Sequence, residues 1–493
     1  MLNKSKYSCH GLPLKPNSVP ASGADVIGMD IGRAIYRIIL SVTILTTSLG
    51  CFQEKSFPMR PGDVVRIQID SSTKSRDKHT HSVRQWLKHA HQQIKHLLPN
   101  KAHLAMVTED LLDEKGEPRD IYKHFMKNPA ELDILLRNYW AMLHTAQCAG
   151  PSVSIEKPSP PWPGFKQVWI PVDEDIELSG WLGFARKNGR VRSADCIVLL
   201  PGMWGDNAIK RTTDLAKALF QAGYHVLALE LRGHGQTEVR YPTVHYNFGV
   251  LETRDLMKVS EWLEDHQYIN RTGIVAFCWG GNHGLLAAWY DGRKPNDPSI
   301  SEDLQRILEP KSDRRHFTAG VIAFSPVLRW EEVVDHTDIP RAVLDDPATY
   351  FYQWTLRERT RRKGYPVANG NLRQIINFEF AHSVLTSSFG IIDAYDLLRF
   401  LPYRGRPSGR KLEHSRIPVL LVQAANDPFL CAQDIADLMA ETSNPNVAAL
   451  LISGGGHIGF AAFARSYYYS LIINFFDPQN GVAAFADKNS NSG

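Results

Sequence analysis

The sequence predicts an α/β fold, a mostly parallel central sheet with flanking helices, extended by a long insertion and by a helical N-terminal region. Three observations carry this expectation. From about residue 165 to 480, short apolar runs alternate with longer helix-like segments, the pattern of strands joined by crossover helices. Several runs stop abruptly at turn residues, as at Leu200-Pro201-Gly202 and ahead of Arg232-Gly233-His234-Gly235. With 43% hydrophobic and 22% charged residues, 493 residues can bury a sizeable core, which excludes disorder, collagen-like repeats and a small disulfide scaffold.

Taken in order, residues 168–171 and 176–184 suggest an antiparallel opening pair of strands, and 196–200 a short buried strand. Residues 214–222 have helical spacing, 225–230 form the next strand and 251–264 the next helix. Strand 273–277 is followed by helix 282–290, and 320–324 is again a strand. The stretch 330–409 is irregular, with helical patches at 352–362 and 391–400, and is expected to form a lid. Strands at 419–423 and 448–452 and a helix at 460–476 close the domain, leaving 481–493 as a flexible tail.

Charge and cysteine usage narrow the function. Lys and Arg total 56 against 52 Asp and Glu, a net +4, so no basic field argues for nucleic acid. The cysteines Cys9, Cys51, Cys148, Cys196, Cys278 and Cys431 are too few and scattered for a disulfide framework. The absence of any C-x-x-C removes zinc-ribbon and thioredoxin readings.

Residues 1–51 read as a leader. Arg33 and Arg37 precede an apolar run at 38–49 that ends at Gly50-Cys51, the layout of a signal peptide and too short for a comfortable membrane span. Lipidation at Cys51, an uncleaved anchor and a plain apolar segment stay open as readings. The first two place the protein at the cell envelope or on a membrane. Residues 52–164 form a helical, basic, His-rich region that closes on a Pro-rich linker, Pro158-Ser159-Pro160-Pro161-Trp162-Pro163-Gly164. Trp86, Leu87, Ala90, Ile94, Leu97 and Leu98 recur at helical spacing there, with His79, His81, His89, His91, His96 and His103 at the polar positions. No carboxylate or Cys joins these histidines at ligand spacing, so a solvated helix face, resting near anionic lipid, outweighs a metal site. No metal or cofactor is expected.

The chemistry sits in three loops. Strand 273–277 runs straight into Cys278-Trp279-Gly280-Gly281 and a helix, the layout of a nucleophile elbow. The tight turn demands small residues two before and two after the nucleophile, and Ala276 and Gly280 meet that demand. A thiol at a helix N-terminus is a sensible nucleophile there, because the helix dipole favours thiolate. Alone, the pattern also suits a buried core Cys. Asp427 follows strand 419–423 and His457 follows strand 448–452, in the chain order nucleophile, acid, base. An oxyanion hole needs two backbone donors; the N–H groups of Trp279 and of Met203, in Pro201-Gly202-Met203-Trp204-Gly205, are the candidates. Arg232-Gly233-His234-Gly235 reads as a structural turn, and His283 as a packed helix residue.

These residues resemble the α/β-hydrolase superfamily. More narrowly, Leu231-Arg232-Gly233-His234-Gly235, Trp279-Gly280-Gly281-Asn282, Asn426-Asp427-Pro428-Phe429 and Gly455-Gly456-His457-Ile458-Gly459-Phe460 look like the esterase and lipase group containing the YheT-like hydrolases and membrane-anchored α/β-hydrolase-domain lipases. That resemblance spans residues 165–480 and implies cofactor-independent hydrolysis of short- to medium-chain acyl esters. The group normally has Ser at the position of Cys278 and His-Gly at that of Pro201-Gly202. Cys at the elbow resembles dienelactone hydrolases and polyester synthases. The expected function is ester hydrolysis through Cys278, His457 and Asp427. Cys-dependent acyl transfer or lactone hydrolysis is the alternative, and a silent hydrolase-fold binding protein is the rival from another class. Tyr350, Phe351, Tyr352, Trp354 and Phe378 of the lid would line an acyl pocket or pack onto the core.

Overall fold

Nine strands form one sheet in a computed structural model that describes residues 55–68, 82–99, 105–125, 141–142, 145, 161–294, 297–298, 300, 302–308, 314–340, 346–366, 371–390 and 411–482. The strands are β1 (Ala105–Val107), β2 (Phe165–Asp173), β3 (Ile176–Gly183), a separate small hairpin β4 (Arg186–Lys187) and β5 (Arg190–Val191), then β6 (Ala194–Leu200), β7 (His225–Glu230), β8 (Ile269–Phe277), β9 (Gly320–Phe324), β10 (Val419–Ala424) and β11 (Val447–Ile452). Their order in the sheet is β1-β11-β10-β9-β8-β6-β7-β3-β2. The six from β7 to β11 pair in parallel, while β1, β2 and β3 pair antiparallel at the two edges.

Both faces of the parallel strands are buried, and for this reason β6, β7, β9, β10 and β11 are continuous apolar runs without alternation. Helices α1 (Val83–Ile94) and α2 (Lys210–Ala222) lie against one face, and α3 (Val250–Glu264) and α4 (Trp279–Asp291) against the other. The lid contributes α5 (Trp330–Asp338), α6 (Pro347–Lys363), α7 (Leu372–Ala381) and α8 (Val384–Phe389). Helix α9 (Gln433–Ala440) follows β10, and α10 (Phe460–Phe475) returns to the face of α1 and α2. The mostly parallel sheet with flanking helices is thus the architecture the sequence predicts.

Three local outcomes differ from the sequence reading. The sheet takes its last strand, β1, from the region before residue 165, where three residues leave no periodic signal. The lid is more regular than expected: Leu372, Ile375, Ile376, Glu379 and Phe380 are the buried stripe of α7, spaced as a helix requires. The third is a correction concerning cysteines: Cys431 is disulfide-bonded, its partner outside the described residues, while Cys196 and Cys278 are free. Scattered cysteines meet through tertiary folding, which spacing along the chain does not report.

The described N-terminal segments pack onto the sheet. Trp86, Leu87, Ala90 and Ile94 of α1 are buried, and Trp86 donates its indole N–H to the Asn480 carbonyl (3.0 Å) and meets Phe475 edge-on. Of the histidines, His91 bonds the Tyr467 hydroxyl (2.8 Å) and His89 the Gln68 carbonyl (2.9 Å). No group of His, Cys, Asp or Glu among the described residues is arranged to hold a metal ion. Among those residues, no helix is long and apolar enough to cross a membrane. The apolar run 38–49, Cys51, the patch 391–400 and the tail beyond 482 lie outside the described residues.

Candidate active site

Cys278 stands between the end of β8 and the start of α4 with φ 56° and ψ −125°. This is a left-handed backbone that a side chain adopts only when the surroundings enforce it. The enforcement is visible. The Cys278 N–H donates to the Phe324 carbonyl (2.9 Å) at the end of β9. A Cβ at residue 280 would fall 2.1 Å from the Pro201 carbonyl oxygen, so only glycine lets the elbow reach the loop after β6. A Cβ at residue 202 would lie 3.1 Å from the Cβ of Cys278, which puts that loop directly beside the thiol.

The structure brings Asp427 and His457 to the same end of the sheet. Asp427 follows β10; its Oδ1 accepts the N–H groups of Phe429 (2.9 Å) and Leu430 (3.1 Å), so the turn itself orients the carboxylate. His457 follows β11, and its Nδ1 lies 2.9 Å from Asp427 Oδ2. The remaining ring nitrogen is left for Cys278, with which His457 shares a side-chain hydrogen bond. Burial alone would lower the pKa of this imidazole, but the Asp427 carboxylate and the Cys278 sulfur outweigh it and raise the value to about 10. The second free thiol, Cys196, is fully buried and pushed up by that burial.

The oxyanion candidates, Met203 and Trp279, flank the thiol on the loop after β6 and at the first residue of α4. In that loop, Gly205 N–H bonds the Gly202 carbonyl and Trp204 N–H bonds His234 Nε2 (2.8 Å), which leaves the N–H of Met203 uncommitted among the described residues. His234 is locked as a neutral acceptor: its Nδ1 donates to the Arg232 carbonyl (2.6 Å), and burial lowers its pKa to about 3. The Arg232 turn is therefore structural, as its sequence suggests, yet it also holds the loop after β6 that carries Met203. Arg232 itself is buried in an ion pair with Asp255. His283 bonds the Tyr246 hydroxyl (2.6 Å) behind the elbow.

Two buttresses escape sequence reasoning. Glu379 of α7 reaches from the lid to accept the Trp204 indole N–H (3.0 Å), the Tyr246 N–H (3.1 Å) and His245 (2.9 Å). Thr145 accepts the backbone N–H of His457 (2.8 Å). Their separations of 175 and 312 residues hide these partners from the sequence, although the place of Glu379 on the apolar stripe of α7 marks it as a buried carboxylate. Of the five lid aromatics, Tyr352 reaches the site: its ring lies 5.0 Å from Phe429, which stands edge-on to His457 at 5.2 Å. Trp354 is 49% exposed and faces away from the core, and Phe378 packs with Tyr365 and His382.

A buried carboxylate, an imidazole and a thiol on a strained elbow, beside two backbone donors, can carry out nucleophilic acyl transfer. The sequence profile of the Alpha/beta hydrolase family matches residues 197–465. Among solved structures the chain is similar to an esterase of Pyrococcus furiosus, at 16% identity over 66% of this chain and 100% of that one, with a TM-score of 0.39. It is similar also to an acylaminoacyl peptidase of Pyrococcus horikoshii (16% identity, 65% of this chain and 43% of that one, TM-score 0.38). A third is a dienelactone hydrolase of Anabaena variabilis (16% identity, 64% and 97%, TM-score 0.36).

Proposed function

The chain belongs to the alpha/beta hydrolase family, and from that premise we propose that it hydrolyses carboxylic esters of short- to medium-chain acids through Cys278, His457 and Asp427. The observation that carries this reading is the placement of His457 between the Asp427 carboxylate and the Cys278 thiol at the elbow. In the reaction, Cys278 sulfur attacks the ester carbonyl as a thiolate, its proton held by His457. The N–H groups of Met203 and Trp279 receive the oxyanion. Collapse of the tetrahedral intermediate breaks the ester C–O bond, and His457 gives its proton to the departing alcohol. Water, deprotonated by His457, then attacks the thioester; the C–S bond breaks, the acid leaves and the thiol is restored.

The Asn426-Asp427-Pro428-Phe429 and Gly455-Gly456-His457-Ile458-Gly459-Phe460 runs support a place near the YheT-like and membrane-anchored group, with Cys278 replacing its Ser. The apolar run 38–49 and Cys51 support a station at the cell envelope, which cell fractionation with and without residues 1–51 tests. Turnover of p-nitrophenyl esters of increasing chain length tests the chemistry. Wild-type protein should release nitrophenol, iodoacetamide should abolish this, and Cys278→Ala and His457→Ala should each be inactive. Undiminished turnover in either variant overturns the assignment.

A further inference from the structure

The two loops that carry Asp427 and His457 are held by residues that precede the first long strand of the sheet. Thr145 Oγ1 donates to the Ala141 carbonyl (2.7 Å), which turns its lone pair toward the His457 N–H, 2.8 Å away. The contact is backbone-close: at Gly456, φ 59°, a Cβ would fall 2.1 Å from the Ala141 carbonyl oxygen and 2.5 Å from Thr145 Oγ1. Glycine at 456 is therefore required both by its left-handed conformation and by the segment lying on it. The Gly456 N–H in turn donates to Asn426 Oδ1 (3.0 Å), the neighbour of Asp427, so the base loop and the acid loop form one unit.

The acid loop is held by the same region of the chain. The Tyr122 hydroxyl accepts the Ala432 N–H (3.2 Å) and lies 3.6 Å from Cys431 Sγ. The Ile121 N–H donates to Gln433 Oε1 (3.1 Å), and Gln433 Nε2 to the Arg119 carbonyl (2.9 Å). These contacts span more than 300 residues of chain. They fall on the two loops that a hydrolytic site must keep in register.

Resting on the reading of Cys278, His457 and Asp427 above, we propose that Thr145 is a positioning residue for catalysis: its hydroxyl sets the backbone of His457, and the N-terminal region is thereby part of the active-site machinery. Without the hydroxyl, the His457 N–H loses its acceptor and the Gly454-Gly455-Gly456 run is free to relax. The imidazole then drifts from the Cys278 sulfur, and a displacement of a fraction of an ångström is costly for a general base. The group acts on the reacting atoms only through His457, so substrate binding should be untouched.

The test is steady-state turnover of a p-nitrophenyl ester together with the rate of iodoacetamide alkylation, by full-length wild type, Thr145→Val, Thr145→Ala and Thr145→Ser. Both variants lacking the hydroxyl should lose about tenfold in kcat and in alkylation rate with KM within about twofold of wild type, the signature of lost transition-state geometry. Thr145→Ser should restore most of the loss. If Thr145→Val does not fold, Thr145→Ala, the better helix former, carries the same prediction. A kcat within about twofold of wild type in the folded variants, or a Ser variant as impaired as the Val variant, overturns the inference. Turnover that survives Cys278→Ala removes the reading of the site and this inference with it. Turnover that needs Cys278 and ignores Thr145 removes this inference alone.

Discussion

Replacing Asp427 with Asn tests the site at its most polarised point. The substitution is nearly isosteric, and Oδ1 of the amide would still accept the N–H groups of Phe429 and Leu430, so the turn survives. The amide NH2 would then occupy the position of Oδ2, 2.9 Å from His457 Nδ1. A donor there forces the ring to offer Nδ1 as an acceptor, which moves its proton to the nitrogen facing Cys278, the wrong tautomer for a base. Burial lowers the His457 pKa, but Asp427 and Cys278 outweigh it and raise the value from 6.5 to about 10. At about 1.4 kcal/mol for each tenfold change in proton affinity, the rise amounts to ~5 kcal/mol in favour of imidazolium, shared between the two contacts. Loss of the charge and the tautomer should lower kcat/KM by roughly 10³–10⁴.

Stability carries an independent signature with a definite sign. Folded His457 keeps its proton above the ordinary value, so its contribution is complete below pH 6.5 and is lost as pH rises toward 10. Urea midpoints of wild type and Asp427→Asn, measured from pH 6 to pH 10, should therefore differ most at the acid end and converge at the alkaline end. A constant gap across that window, or a kcat/KM within about tenfold of wild type, refutes the coupling of the two side chains.

Three other substitutions probe what surrounds the triad. Gly280→Ala places a methyl 2.1 Å from the Pro201 carbonyl oxygen and should cost several kcal/mol, about the size of a severe core defect; a thermal midpoint equal to wild type would contradict the close approach of elbow and oxyanion loop. Glu379→Gln sets an amide donor against Trp204, His245 or Tyr246 and should cost about 1–3 kcal/mol, with kcat falling alongside the midpoint because Trp204 adjoins Met203. Tyr352→Ala removes the lid ring that packs at a tilt against Phe429 and should shift the preference toward longer acyl chains, read as the ratio of kcat/KM for butyrate and acetate esters. An unchanged ratio separates Tyr352 from the acyl pocket.

What was legible in the sequence was local. Strands β6, β7, β9, β10 and β11, and the second half of β8, announce themselves because burial on both faces demands apolar runs. Cys278, Asp427 and His457 could be singled out as candidates because each stands within a few residues of a strand end, where a loop projects its side chain over the sheet. The lid's α7 was missed although its stripe of Leu372, Ile375, Ile376 and Phe380 is regular, because the helix is only ten residues long and its stripe is broken by Glu379. The disulfide at Cys431 and the β1 pairing were missed because each joins segments far apart in the chain. Glu379 and Thr145 belong to the same class. A Thr far upstream has no local mark that separates it from a solvated residue, and Glu379, though it falls on the buried stripe of α7, gives no sign of the partners it meets.

That division has a physical reason. The elbow stores backbone strain at Cys278, and the base loop carries positive φ at both Gly455 and Gly456. Such conformations persist only where neighbours over-determine them. A loop cannot supply that restraint from its own few residues, since its short-range hydrogen bonds are compatible with several backbone paths. The restraint has to come from rigid elements distant in the chain. His234 holds Trp204 on the oxyanion loop, Glu379 holds the same residue from the lid, and Thr145 and Tyr122 hold the base and acid loops from the N-terminal side. The family profile covers residues 197–465, a span that includes Cys278, Asp427 and His457. Thr145 and Tyr122 lie before it, so the loops of the proposed site are braced partly by chain that the profile does not reach.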